Sequence, residues 1–162
     1  MKNFFPIVVA CAFVAAALMP AAAVAQATDN HTVTVTIQPI NVLTVGADVN
    51  LVVGAAAAGS EPTVVQGTSD WSVTTNSASD MKVTAQTDVA MPVGLTLQAN
   101  LAAPAGGSSA GFQFLGTSPV DVVNDLMQVT GQNLVMTYET SATVAAALGS
   151  PAFVVTYTLT TQ

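Results

Sequence analysis

From Thr32 onward the chain repeatedly sets apolar residues at every second position, and no other feature constrains its fold as strongly. Val33, Val35 and Ile37 alternate with Thr32, Thr34, Thr36 and Gln38. Successive side chains of a strand point to opposite faces, so this stretch predicts a β-strand with one apolar and one polar side. Pro39 interrupts it, Ile40 to Val45 continues it after a kink, and Val49 to Val53 forms a further apolar stretch closed by Gly54. After a short strand signal at Val64-Val65, Trp71, Val73 and Thr75 line one face of the next strand. The polar run Asn76 to Asp80 then reads as a tight turn into Met81, Val83 and Ala85, a hairpin signal, with Lys82, Thr84 and Gln86 on the opposite face.

The longest alternation is Val93, Leu95, Leu97, Ala99 and Leu101. A short strand follows at Phe112 and Phe114, then Leu134, Met136 and Tyr138, and finally Phe153, Val155, Tyr157 and Leu159. Val135-Met136-Thr137-Tyr138 and Val154-Val155-Thr156-Tyr157 echo one another, which predicts that these two strands pair as a hairpin. Ala55 to Thr63 and the Gly/Ser-rich Ala102 to Gly111 read as loops. One helix is expected, over Pro119 to Leu126, because Ser118-Pro119-Val120-Asp121 combines an N-cap, a proline at the first helical position and an acid three residues after the cap.

These segments predict an all-β fold: a single antiparallel β-sandwich, Ig-like or fimbrial-like, of about seven to nine strands with at most one short helix near residues 119–126. A membrane barrel is the rival. It needs aromatic girdles at both interfaces, and beyond residue 26 the aromatic residues are only Trp71, Phe112, Phe114, Tyr138, Phe153 and Tyr157. These six are instead the candidate anchors of a sandwich core, although an exposed Trp71 would also suit stacking on a sugar ring.

The N-terminus indicates export. Met1-Lys2-Asn3 supplies a positive start, Phe4 to Met19 is an almost unbroken apolar run, Pro20 closes it, and small residues fill Ala21 to Ala27. This is the pattern of a secretory signal peptide over residues 1–25, cleaved after Ala25 or Ala27, leaving one domain over 26–162 without stable membrane insertion. Cys11 sits too early in the run for a lipoprotein cleavage site. The mature chain would then contain no cysteine, which excludes disulfides, thiol catalysis and zinc-thiolate sites. A domain of that size buries about two thirds of its unfolded surface without such staples.

Charge narrows the partners. Lys2 and Lys82 are the only basic residues against nine acids. Phosphate neutralisation requires lysine or arginine, so nucleic-acid binding is excluded and anionic membranes are disfavoured. The acids fall singly at apparent turns, where their ordinary role is solvation and capping.

Candidate chemistry is sparse. His31, the sole histidine, lies a few residues from the expected mature N-terminus, where a general base is poorly held. Glu61 and Glu139 are the only glutamates available as a glycosidase pair, and nothing local fixes their separation. Asp29-Asn30-His31, and Asp80 with Asp88, lack the dense acid spacing of a calcium loop. Asn30-His31-Thr32 fits an N-glycosylation sequon. No catalytic, cofactor-binding or metal-ligating residue is assigned, and no cofactor is expected.

The edges of the sheets are more informative. Soluble sheets protect their edge strands with lysines, inward charges or prolines, and this chain has almost no lysine to use. Such edges accept further strands. His31 to Ile40, with Val33, Val35, Ile37 and Ile40 as its apolar contacts, either forms the first strand of its own domain or is donated to a neighbour by β-augmentation. The leader, the Thr/Val-alternating stretch directly after it (Thr32 to Ile37) and the final strand running to Thr160 together resemble small bacterial surface subunits of the fimbrial or coat type. The chain departs from chaperone-assembled pilins in lacking their cysteine pair and in ending Leu159-Thr160-Thr161-Gln162, with no aromatic beside the terminus. The resemblance implies an extracellular or cell-surface β-subunit, with a periplasmic location as the alternative. The expected function is a secreted, non-enzymatic structural protein that self-associates by strand pairing into an oligomer or filament. The alternative is a binding module that recognises a glycan or surface protein through loops 102–111 or 55–63.

Overall fold

The computed structural model describes residues 27–162. The leader expected at residues 1–25 lies outside the described residues. The chain divides into two units, residues 1–36 and Ile37–Gln162. The described part of the first, residues 27–36, carries no regular secondary structure.

The second unit is all-β. Nine strands, β1 (Asn41–Val45), β2 (Val65–Thr75), β3 (Met81–Thr87), β4 (Leu95–Leu101), β5 (Ser108–Ser109), β6 (Gln113–Phe114), β7 (Val120–Leu126), β8 (Thr130–Ala142) and β9 (Val155–Thr161), form two antiparallel sheets. The first sheet has the order β1-β2-β8-β4-β6 and the second β5-β7-β3-β9. Their inner faces share one apolar core, as in a sandwich: Trp71, Val73, Leu97, Ala99, Leu101 and Met136 from the first sheet meet Met81, Val83, Ala85, Val122, Val123 and Leu126 from the second.

The predicted alternation places these residues directly. In β3, Met81, Val83, Ala85 and Thr87 are buried while Lys82, Thr84 and Gln86 are half-buried on the outer face. Lys82 there forms a 3.1 Å ion pair with Asp121. In β2, Trp71, Val73 and Thr75 are buried, and the indole Nε1–H donates to the Ala102 carbonyl at 3.2 Å. Full burial of one such apolar side chain stabilises the fold by about 1.5–3 kcal/mol.

Four expectations fail. The stretch Val33 to Ile37 is no strand: it is unpaired, and β1 begins only at Asn41. The polar run Asn76 to Asp80 does not make a hairpin, because it carries the chain from the first sheet to the second; β2 pairs with β1 and β8, and β3 with β7 and β9. The echoing strands β8 and β9 likewise lie in different sheets. Period-two patterns report which face is buried and are the same whether two strands pair side by side or face each other across a core.

The fourth failure is the helix. Residues Val120–Leu126 form β7, paired with β3 and β5. Val120, Val122 and Val123 are β-branched and lose side-chain freedom in a helix, and Pro119, which lacks an N–H, falls just outside the strand. The register against β3 shifts twice along β7, once near Asp125, whose φ is +61°. These bulges put the consecutive residues Val122 and Val123 both into the core. That breaks simple alternation, so period two does not signal a strand here.

Candidate strand-pairing surfaces

The chain enters the sandwich at Ile40, beside Asn76. The Asn76 side chain accepts a hydrogen bond from the Ile40 amide at 2.7 Å and donates one to the Gln38 carbonyl at 2.8 Å. Its own amide donates to the Ile40 carbonyl at 3.1 Å. One asparagine thus holds both faces of the backbone around Pro39 and sets where the strand ladder begins. Upstream of this clasp the candidate donor residues stand in solvent: Val33 is 72%, Val35 78% and Ile37 78% exposed. Ile40, at 43%, is tied down by Asn76 and belongs to the entry into β1.

The second sheet ends at β9, which pairs only with β3. At its two ends, Asp88 N–H donates to the Val154 carbonyl and Gln162 N–H to the Asp80 carbonyl, each at 3.0 Å. Hydrogen-bonded pairs alternate along an antiparallel ladder, so even-numbered residues of this strand turn their N–H and C=O groups toward β3. Val155, Tyr157, Leu159 and Thr161 therefore aim theirs at the free edge. The strand contains no proline and no charged residue to guard that edge.

Beside β9 the sandwich is open. β2 and β8 run well past the end of β1, and their exposed inner face is covered by irregular segments instead of a strand. Gly67 permits this cover to lie close, since a Cβ there would sit 2.6 Å from Val49 and 2.8 Å from Leu51. A cavity of about 1490 Å³ remains, with Leu97, Met136, Tyr138, Val155 and Tyr157 in its wall. Across it the two sheets touch through hydroxyls, Tyr157 donating to Tyr138 at 2.8 Å. Burial holds the Tyr157 phenol far above its ordinary ionisation range, and the neighbouring Tyr138 adds to the shift. For Tyr138 burial again raises the pKa, outweighing the lowering by the hydrogen bond it accepts, with Asp48 raising it further.

Among the candidate core anchors, Trp71 is fully buried, and Tyr138, Phe153 and Tyr157 pack half-buried against the core. Phe112 and Phe114 do not. Phe114 is 63% exposed, because it stands opposite Gln98, whose neighbours Leu97 and Ala99 take the inward positions of β4. Leu115 fills the core position there, with its amide donating to the Leu97 carbonyl at 2.8 Å.

The acids weighed as a glycosidase pair are occupied separately. Glu61 accepts from the Val144 amide at 2.6 Å, while Glu139 accepts from Gln66 at 2.6 Å and from Gln98 at 3.5 Å on the outer face of the first sheet. His31 lies in the irregular lead-in. The open edge of β9 and its cavity were missed by sequence reasoning, although the charge-free, proline-free composition of Val155–Thr161 was a usable signal. Asn76 was read as a turn residue, and its role in clasping the chain entry carries no separate sequence signature.

The fold defines the chain as an all-β protein of two antiparallel sheets. No family model matches it, and neither does any curated protein or solved structure. No helix of the described residues is long and apolar enough to cross a membrane.

Proposed function

We propose that the protein is an exported, non-enzymatic structural subunit of the fimbrial or coat type that associates with copies of itself by β-strand pairing. The observation that carries this reading is the alternating segment Thr32 to Ile37, whose three branched apolar side chains are left in water by a fold that has strands elsewhere of the same pattern. A segment patterned for a sheet and absent from its own sheets is suited to another copy's. Negative-stain microscopy and size-exclusion chromatography of residues 26–162 test the reading, with filaments or ladders expected. A variant lacking residues 27–37, which keeps the Asn76 clasp, should be monomeric. If it polymerises as the intact chain does, the segment is not the donor.

A second reading is a binding module. It is favoured by exposed Phe112 and Phe114, which follow the loop 102–111 and offer aromatic faces to a glycan or protein partner. A monomer that retains a glycan on an array would support it over assembly.

A further inference from the structure

We infer that the free edge of β9, with the cavity beside it, is the acceptor for Val33, Val35 and Ile37 of a second copy, which would complete the second sheet as its fifth strand. This rests on the strand-pairing reading above and adds to it the identity of the receiving surface.

Three independent features select this edge. The first is polarity: Val155, Tyr157, Leu159 and Thr161 direct their N–H and C=O groups outward, a continuous row about 20 Å long at the rise of a strand. The second is layering. The inward side chains Val155, Tyr157 and Leu159 are only half-buried, because the first sheet has five strands and the second four. A strand added outside β9 would extend the inner layer beside the part of β2 and β8 that only irregular segments cover. The third is volume. At about 1490 Å³ the cavity exceeds the roughly 300–1,000 Å³ of a small-molecule site, and Val155 and Tyr157 of the unpaired strand line it, which suits a polypeptide segment.

The occupant follows from matching. The inner positions of such a strand must be apolar and uncharged at every second residue, and the outer ones polar. Val33, Val35 and Ile37 against Thr32, Thr34 and Thr36 meet both demands, and the segment's side chains are free in solvent. The other candidate edges offer less: β5 and β6 have two residues each, too few to hold a five-residue donor, and β1, of five residues, borders the sheet that already has one strand more.

Two separately crippled chains test the assignment. In one, Val33→Asp, Val35→Asp and Ile37→Asp spoil the donor at exposed positions. In the other, Leu159→Pro removes one outward amide without touching a bond to β3. Each alone should be monomeric, and their mixture should yield dimers that grow no further, since one intact donor meets one intact acceptor. In parallel, hydrogen exchange on assembled wild type should slow the amides of Val155, Tyr157 and Leu159 by about tenfold or more relative to the donor-spoiled chain, leaving Thr156 and Thr158 unchanged. If folded Leu159→Pro chains still assemble, the acceptor lies elsewhere while the strand-pairing reading stands. If monomeric wild type shows the same odd-numbered protection, the segment fills the edge of its own chain and the intermolecular assignment fails. If wild type neither assembles at millimolar concentration nor shows protection, both fail. Should Leu159→Pro not fold, the exchange comparison decides alone, with unprotected odd amides in assembled wild type overturning the proposal.

Discussion

Replacing Trp71 tests the core most directly. Its side chain is completely buried where the two sheets meet, and its indole N–H bonds to Ala102. Truncating a buried tryptophan to alanine costs about 3–5 kcal/mol in lost transfer energy and cavity formation. The orphaned Ala102 carbonyl adds little, since Ala102 is exposed and water can replace the indole. Trp71→Ala should therefore cost about 4 kcal/mol, a large part of the roughly 5–15 kcal/mol that holds an ordinary domain. At about 3–4 °C per kcal/mol for a unit of this size, the midpoint of thermal unfolding should fall by roughly 15 °C. Trp71→Phe keeps most of the apolar volume and loses one hydrogen bond, so it should cost about 1.5–2.5 kcal/mol. Urea unfolding followed by far-UV circular dichroism, at one fixed protein concentration, gives both values without relying on tryptophan fluorescence. A cost below about 1 kcal/mol for Trp71→Ala at unchanged denaturant slope would refute the placement of this ring in the core.

Asn76→Ala removes two side-chain hydrogen bonds to Gln38 and Ile40 and should cost about 1–2 kcal/mol, with faster exchange of the Ile40 amide; unchanged exchange there would show that the clasp does not hold the chain entry. The buried tyrosine pair predicts alkaline sensitivity. Both phenols have raised pKa values in the folded state, whereas the unfolded chain ionises near about 10, so their contribution to stability is intact below about pH 10 and lost as pH climbs above it. Urea midpoints at about pH 9 and pH 11 should show this fall, and Tyr157→Phe should make it shallower. An equal fall in the variant would mean that the pair is not the source.

The inward faces of the long strands were legible in the sequence because burial imposes period two on the residues themselves. Trp71, Val73 and Thr75, or Leu97, Ala99 and Leu101, could be assigned to a face without knowing any partner. Pairing was not legible. The turn residues Asn76 to Asp80 that suggest a hairpin serve equally to cross between sheets, and the matching motifs around Tyr138 and Tyr157 do meet, but through their hydroxyls across the cavity and not as ladder neighbours. β7 was hidden by its bulges, which place Val122 and Val123 on the same side. Phe112 and Phe114 were misjudged because large aromatic residues suggest burial, whereas Phe112 lies outside any strand and the position of Phe114 opposite Gln98 on a two-residue edge strand turns it outward.

The segment before the Asn76 clasp shows where pattern and location part. Val33 to Ile37 and Leu95 to Leu101 carry the same alternation, yet only the second is a strand of this sandwich. Alternation records a capacity to lie on a sheet; it does not say whose. Left alone, the exposed valines and isoleucine retain an apolar surface in water, while the outward amides of β9 are an unguarded template for any passing strand. Each feature by itself is a liability that soluble monomers blunt with lysine or proline, and Lys82, spent on Asp121, guards neither. Joined between copies, the two would cancel: the apolar row enters the half-empty layer beside Tyr138 and Tyr157, and the amide row gains a ladder. The charge-poor composition that leaves this edge bare is then a condition for assembly, since a single added lysine at Tyr157 or Leu159 would oppose it.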